Sequence, residues 1–208
     1  MSEKAVVVKT GIANTASVIA GLKRAGLDPI VSSDLMDIRD SHRVILPGVG
    51  AFGHAVSELK ENGIIDTLKE RITVGKPTLA VCLGFQLLFF ESEESPGVEG
   101  IGVLPCKIRR FPDNLPVPQF GWNKVEADES CRLLQDGYAY FANSYRLPTA
   151  APTIYALNDW GKANAEYGDS FVAAVERGAI LGCQFHPELS GHWGINLIKR
   201  WAELSGEY

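Results

Sequence analysis

Residues 79–88 read LAVCLGFQLL and join a short apolar run to a segment of helical character, with Cys82 at the junction. Thr78 to Val81 has the composition of a buried strand, and the following LGFQLLFF reads as helix. Gly84 lies two residues beyond the cysteine, where a sharp strand-to-helix turn needs a small residue. Such an elbow lifts a reactive atom above the edge of a sheet. The helix N-terminus beyond it adds positive potential, which favours thiolate over thiol. The Leu83 N–H then points where an oxyanion would form. Ala80 stands where elbows of this kind often carry glycine, and a methyl group is tolerable there. Taken alone, a cysteine is more often a small buried hydrophobe, so its neighbours in the chain must decide.

Upstream, the pattern is strand followed by helix. Ala5 to Val8 is a β-branched run, and Asn14 or Thr15 can cap a helical stretch to about Arg24 with Val18, Ile19 and Leu22 on its apolar side. Gly26 stops that helix. Pro29 to Val31 and Arg43 to Leu46 are further short strands, and Ala55–Leu59 and Ile64–Ile72 read as helices parted by Asn62-Gly63. Strands alternating with helices predict an α/β fold around an open, mostly parallel central sheet. Near Glu93 the character changes. From Ile101 to Phe185 the chain offers strand-like pieces, IGVLPCKIRRF, QFGWNKVEA, AYFANSY, TIYAL, SFVAAVE and AILGCQF, which predict an additional antiparallel β portion. A last helix spans about Trp193 to Leu204, and the lack of repeats or linkers predicts one domain over residues 1–208.

Composition sets outer bounds. With 46% apolar and 22% charged residues, the chain is ordinary for a globular protein. A net charge of −5 argues against nucleic acid or an anionic membrane as partner. The four cysteines, Cys82, Cys106, Cys131 and Cys183, form no C-x-x-C pair, which disfavours a disulfide framework and a zinc site and suits a reducing, cytoplasmic setting. The N-terminal apolar run is too short for a signal peptide, and no stretch reaches transmembrane length.

About a hundred residues after the elbow comes GCQFHPELSG, in which an apolar strand ends at Phe185 and His186-Pro187-Glu188 follows. Residues i and i+2 of an extended chain share a face, and Pro187 favours an extended His186. Glu188 can then hold one imidazole nitrogen while the other faces a thiol. Cysteine, histidine base and orienting carboxylate make a nucleophilic triad, Cys82–His186–Glu188.

These segments together identify a family. The chain resembles the class I (triad) glutamine amidotransferases, and within them the glutaminase subunits of imidazole glycerol phosphate synthases. TGIANTASV, LPGVGAFGHA, VCLGFQLLF, VPQFGWNKV, YFANSY and QFHPELSGHWG carry the resemblance over nearly the whole length. It implies a flavodoxin-like fold, no cofactor, and L-glutamine as substrate. It further implies that Cys82 attacks the side-chain amide and that a (β/α)8-barrel cyclase, bound as a heterodimer, receives the ammonia. By the same resemblance Gly48, Gly50, Gln86, Asn143, Ser144 and Tyr145 are expected to contact substrate, and Asn14, Ser17, Trp122 and Leu189 to face the cyclase. A free-standing γ-glutamyl hydrolase, or an amidotransferase for another amination such as nucleotide-sugar synthesis, remains the alternative on the same triad.

The stretch VILPGVGAFGHAV (44–56) also spells G-x-G-x-x-G at Gly48, Gly50 and Gly53. A dinucleotide loop belongs at the first βα turn with an acidic residue ending the next strand. Here the first turn is TGIANTAS and the strand after the glycines ends at Cys82. The segment instead suits an oxyanion strand: Gly48 and Gly50 allow the peptide between them to reorient, so that the Val49 or Gly50 N–H joins that of Leu83. Such a donor is worth about 2.7 to 4 kcal/mol. In the family this segment can hold the hole unformed until the partner is loaded. Three positions depart from the family pattern: Asn143 replaces a common His, Leu189 a usual Lys or Arg, and Phe85 a common Met. His42, His54 and His192 lack ligand-like spacing, so no metal is expected.

Overall fold

The computed structural model describes residues 3–10 and 15–205. Its amino-terminal half runs β1 (Glu3–Val8), α1 (Thr15–Arg24), β2 (Leu27–Ser32), α2 (Leu35–Asp40), β3 (Arg43–Leu46), α3 (Phe52–Glu61), α4 (Ile64–Thr73), β4 (Thr78–Val81) and α5 (Leu83–Leu87). There follow β5 (Phe89–Ser92), β6 (Leu104–Arg110), β7 (Gln119–Ala127), β8 (Gly137–Asn143), β9 (Tyr145–Pro148), α6 (Ala151–Ala156), β10 (Gly161–Tyr167), β11 (Asp169–Arg177), β12 (Ile180–Cys183), a 3-10 turn (Pro187–Leu189) and α7 (Gly191–Ser205).

The main sheet has the order β2-β1-β3-β4-β12-β11-β10-β7-β8. The first five strands pair in parallel, and from β12 onward the pairing is antiparallel. The parallel half has the flavodoxin-like order in which ligands bind outside the carboxyl ends of the strands. All residues of β3, β4 and β12 are buried, as both faces of a helix-covered sheet require. Alternation then sorts them: Val6, Val44, Leu46, Ala80 and Ile180 pack with α3 and α4, while Val7, Ile45, Leu79, Val81 and Leu181 pack with α1 and α7. Phe52, Ala55, Val56 and Leu59 give α3 its buried stripe at helical spacing. No helix of the described residues is long and apolar enough to cross a membrane.

Three local expectations need correction, and two elements carried none. LGFQLLFF is not one helix: α5 ends at Leu87, and Phe89 opens β5, which pairs with β6. TIYAL is not a strand but belongs to α6, where Pro152 opens the helix and outweighs the β-branched residues. AYFANSY divides at Ser144 into β8 and β9, which join different neighbours. α2 and β10 lacked a periodic signal; α2 starts because Asp34 accepts the N–H groups of Met36 and Asp37.

One buried charge ties the parallel half together. Arg71 on α4 is 2% exposed and has no carboxylate partner among the described residues; its guanidinium donates to the carbonyls of Ile38, Ser41, His42 and Pro77 at 2.6–3.2 Å. Those acceptors lie at the end of α2 and at the starts of β3 and β4, and burial lowers the Arg71 pKa to about 10. Arg71→Met leaves four carbonyls without this donor. It should destabilise the protein by about 3 kcal/mol, read as a lower urea midpoint with unchanged slope; an unchanged midpoint would contradict this role.

Candidate active site

The chain turns at Cys82 with φ 54° and ψ −110°, the only positive φ of a non-glycine residue among the described residues. A backbone in such a region costs about 1–3 kcal/mol and persists only where its surroundings impose it. Here three strand ends do so. The Cys82 N–H donates to the Cys183 carbonyl (2.7 Å) at the end of β12, and the Leu83 N–H donates to the Gly48 carbonyl (3.3 Å) beyond β3. A side chain on Gly84 would lie 2.0 Å from the Leu46 oxygen, and one on Gly48 would lie 2.6 Å from the Gly84 nitrogen. The elbow and the glycine-rich segment thus meet backbone to backbone. Gly50, with φ +108°, is where that segment itself needs glycine.

His186 follows β12, its N–H bonded to Tyr140 O on β8 (2.9 Å). Its Nδ1 lies 2.9 Å from Glu188 Oε1, and its other ring nitrogen faces the Cys82 sulfur. The pair forms by a different route from the one expected. His186 is extended, but Pro187–Leu189 is a 3-10 turn rather than a continued strand. The Leu189 N–H and Ser190 Oγ–H both donate to the His186 carbonyl, and that double anchor curls the chain. Glu188 is 3% exposed and is seated on α1: Arg24 Nη2 donates to its carbonyl (2.6 Å), and a side chain at Gly21 would lie 2.4 Å from its Cβ.

Burial disfavours the imidazolium of His186, but hydrogen bonds to Cys82 and Glu188 and their charges outweigh it and raise the pKa to about 10. His186 is therefore held protonated by its two hydrogen-bond partners, Cys82 and Glu188. Three other thiols, away from the imidazole, are pushed up. Burial raises Cys106; burial, with Glu176 and Asp128, raises Cys131 to about 12; and burial raises Cys183 well above its ordinary value.

A cavity of about 220 Å³ opens over Cys82 and His186. Val49, Gly50, Leu83, Gln86, Asn143, Ser144 and Tyr145 line it, which brings most of the sequence-predicted site residues together. Gly48 does not line it; packed behind Leu83 and Gly84, it contributes the carbonyl that occupies the Leu83 N–H. Asn143 Nδ2 donates to the Tyr145 carbonyl (2.9 Å) and thereby shapes the turn between β8 and β9. Trp122 and Leu189 are exposed outside the cavity, which excludes a core role for this tryptophan; Asn14 lies outside the described residues. Ser17 sits on α1 and is half-buried. His42, His54 and His192 are exposed, and no cluster of three or more metal-ligating side chains occurs among the described residues.

Two residues were missed. Glu94 lines the cavity while its Oε2 accepts the Phe52 N–H (2.7 Å) at the start of α3. It lay inside the run ESEES, which carries no local signal beyond charge. Gln184 is fully buried beside Cys82; its place two residues before His186 puts it on the same face, and that spacing was available in the sequence.

Comparison with known proteins agrees with this geometry. Residues 6–201 match the family model for class-I glutamine amidotransferases. The chain is 41% identical over 203 residues to the imidazole glycerol phosphate synthase subunit HisH of Carboxydothermus hydrogenoformans, covering 96% of this chain and 98% of the relative. It is 36% identical to the HisH of Pectobacterium atrosepticum, covering 97% and 100% of the two chains. The chain belongs to the HisH branch of the class I glutamine amidotransferases. A solved glutamine amidotransferase superposes with a TM-score of 0.75 at 21% identity, over 97% of this chain and 98% of that one. The Thermotoga maritima PurLQS structure gives 0.69 at 17% identity, covering 100% and 99% of the chains, which shows the shared fold.

The ion pair can be read directly. The His186 ring should stay protonated through pH 9 when followed by imidazole nitrogen chemical shifts. Glu188→Gln removes a negative neighbour and should move its titration at least about one unit lower. A wild-type ring that loses its proton below pH 8 would contradict the pairing.

Proposed function

We propose that Cys82, His186 and Glu188 hydrolyse L-glutamine to glutamate and ammonia. As a HisH-type amidotransferase, the chain is the glutaminase subunit of an imidazole glycerol phosphate synthase. The observation that carries the residue assignment is the meeting of thiol and imidazole in one cavity, with the buried Glu188 carboxylate behind the imidazole at 2.9 Å. The Cys82 thiolate adds to the γ-carboxamide carbon. As the tetrahedral intermediate collapses, the C–N bond breaks and His186 gives its proton to the departing ammonia. A γ-glutamyl thioester remains on the sulfur. Neutral His186 then takes a proton from water as its oxygen adds, and cleavage of the C–S bond releases glutamate and restores the thiolate–imidazolium pair. Glu188 keeps the ring oriented throughout.

The oxyanion needs donors, and at rest the Leu83 N–H is taken by the Gly48 carbonyl. Rotation of the Gly48–Val49 peptide would withdraw that carbonyl and present the Val49 N–H in its place. One movement would therefore convert an acceptor into two donors, Val49 and Leu83. Glutamine's α-amino and α-carboxylate groups would be held by Glu94, Gln86 and the backbone at Ser144–Tyr145, all of which line the cavity.

The partner that drives this rotation is, in our reading, a (β/α)8-barrel cyclase bound as a heterodimer. Exposed Phe120 and Trp122 on one face of β7, with Leu189 on the 3-10 turn, offer it an apolar surface. Ammonia would pass to it directly. Free thiols throughout the described chain suit a reducing, cytoplasmic setting. Glutamate release by the chain alone should be slow and should rise about a hundredfold or more with the cyclase and its nucleotide, since each of the two oxyanion donors gained is worth at least that factor. Cys82→Ala should abolish both rates. Equal rates with and without the cyclase, or activity surviving Cys82→Ala, would overturn the proposal.

A further inference from the structure

Between Cys82 and Gln86 lies a third side chain that the triad chemistry leaves unused. Gln184 is fully buried, and its backbone N–H donates to Ala173 O (2.8 Å), which fixes it just beyond β12. Its Oε1 accepts from Gln86 Nε2 at 2.9 Å, and its Nε2 stands 4.0 Å from the Cys82 sulfur.

The direction of this chain of amides is set from its far end. The Tyr145 carbonyl can only accept, and Gln86 Nε2 donates to it at 3.2 Å. With its nitrogen so placed, Gln86 needs a second acceptor, which only the oxygen of Gln184 supplies. The Gln184 nitrogen is then the atom that faces the sulfur. The same polarity leaves Gln86 Oε1 for the cavity that Gln86 lines. Reversing Gln184 would set N–H against N–H, and reversing Gln86 would set its oxygen against the Tyr145 carbonyl and the Gln184 oxygen, in a buried site.

We propose that Gln184 is a positioning residue for glutamine hydrolysis: it donates an N–H to the Cys82 sulfur and, through its Oε1, holds the Gln86 carboxamide with its oxygen toward the substrate. This rests on the reading of the cavity as the glutaminase site and extends it. At Gln86 the cavity then presents an acceptor, which selects a substrate group bearing N–H, such as the α-ammonium of an amino acid, over a carboxylate. Nucleophile and recognition group are also aligned by one continuous hydrogen-bonded line from the Tyr145 carbonyl to the sulfur.

The two arms separate experimentally. Gln184→Glu keeps an acceptor for Gln86 but removes the donor to sulfur and adds a negative charge. Gln184→Met removes both. The readouts are the pH dependence of Cys82 alkylation by iodoacetamide in the full chain, and KM and kcat for glutamine in the complex with the cyclase. In Gln184→Glu the alkylation midpoint should rise by about one pH unit or more, with KM within about twofold of wild type and the loss in kcat. In Gln184→Met, KM should rise about tenfold, and in Gln86→Leu, KM should rise without a shift in the alkylation midpoint. A wild-type alkylation profile in Gln184→Glu, or a wild-type KM in Gln184→Met, would overturn the proposal. If Gln184→Met does not fold, the alkylation profile and the division between kcat and KM in Gln184→Glu still decide it. Alkylation needs neither partner nor turnover, so a wild-type complex that fails to release glutamate would sink the glutaminase reading separately.

Discussion

The positive φ at Cys82 is the constraint on which the site depends. It places the sulfur above the carboxyl ends of β3, β4 and β12, and it is tolerated because each of those strands contributes a backbone contact. Cys183 accepts the Cys82 N–H, Gly48 accepts the next one, and Gly84 lets Leu46 approach to a distance that any side chain would forbid. The parallel sheet is thus more than a support. Its register, with Leu46 beside Ala80 and Cys183 beside Val81, is what makes the elbow sterically possible. A one-residue slip of either neighbour would dismantle the turn along with the hydrophobic alternation on both faces.

The second half of the site is held from the opposite direction. Glu188 and His186 sit on a short 3-10 turn whose backbone is pinned by Ser190, by Tyr140 of β8 and by Arg24 of α1. The antiparallel portion therefore has a direct part in the chemistry: β8 fixes the histidine backbone, and the β8–β9 turn supplies the wall of the cavity. The His186 imidazolium is stable in so buried a place because hydrogen bonds to Cys82 and Glu188 outweigh the cost of burial. At rest the charge relay is assembled while the Leu83 donor is occupied by Gly48. In the function proposed above, nucleophile activation and oxyanion stabilisation are consequently separable, which would leave the second open to control by a partner.

Much of this was legible in the sequence, for identifiable reasons. Uninterrupted runs such as VVV, RVIL and TLAV mark strands covered on both faces, and the elbow announces itself as cysteine and glycine between strand and helix. His186 and Glu188 were found by spacing, although the turn joining them was not, because side-chain bonds from Ser190 rather than strand geometry decide its path. Reading FF after the elbow as helix failed since β5 is formed by pairing with β6, a distant partner that no local window contains. TIYAL failed because a proline at the helix start counts for more than β propensity in a short segment. Glu94 was invisible: its role depends on a 42-residue contact with the start of α3. The glycine-rich stretch packs against the elbow, and Gly48 is a packing residue whose carbonyl accepts from the elbow's Leu83 amide, not a wall of the cavity.

The central claim is that Cys82 alone carries the acyl group during glutamine hydrolysis. Acid quenching of the cyclase-activated complex during turnover, followed by peptide mass analysis, measures it directly. A γ-glutamyl mass increase on the peptide containing Cys82, and on none of those containing Cys106, Cys131 or Cys183, is the predicted result. Rapid glutamate release with no adduct on Cys82, or with the adduct on another cysteine, would contradict it.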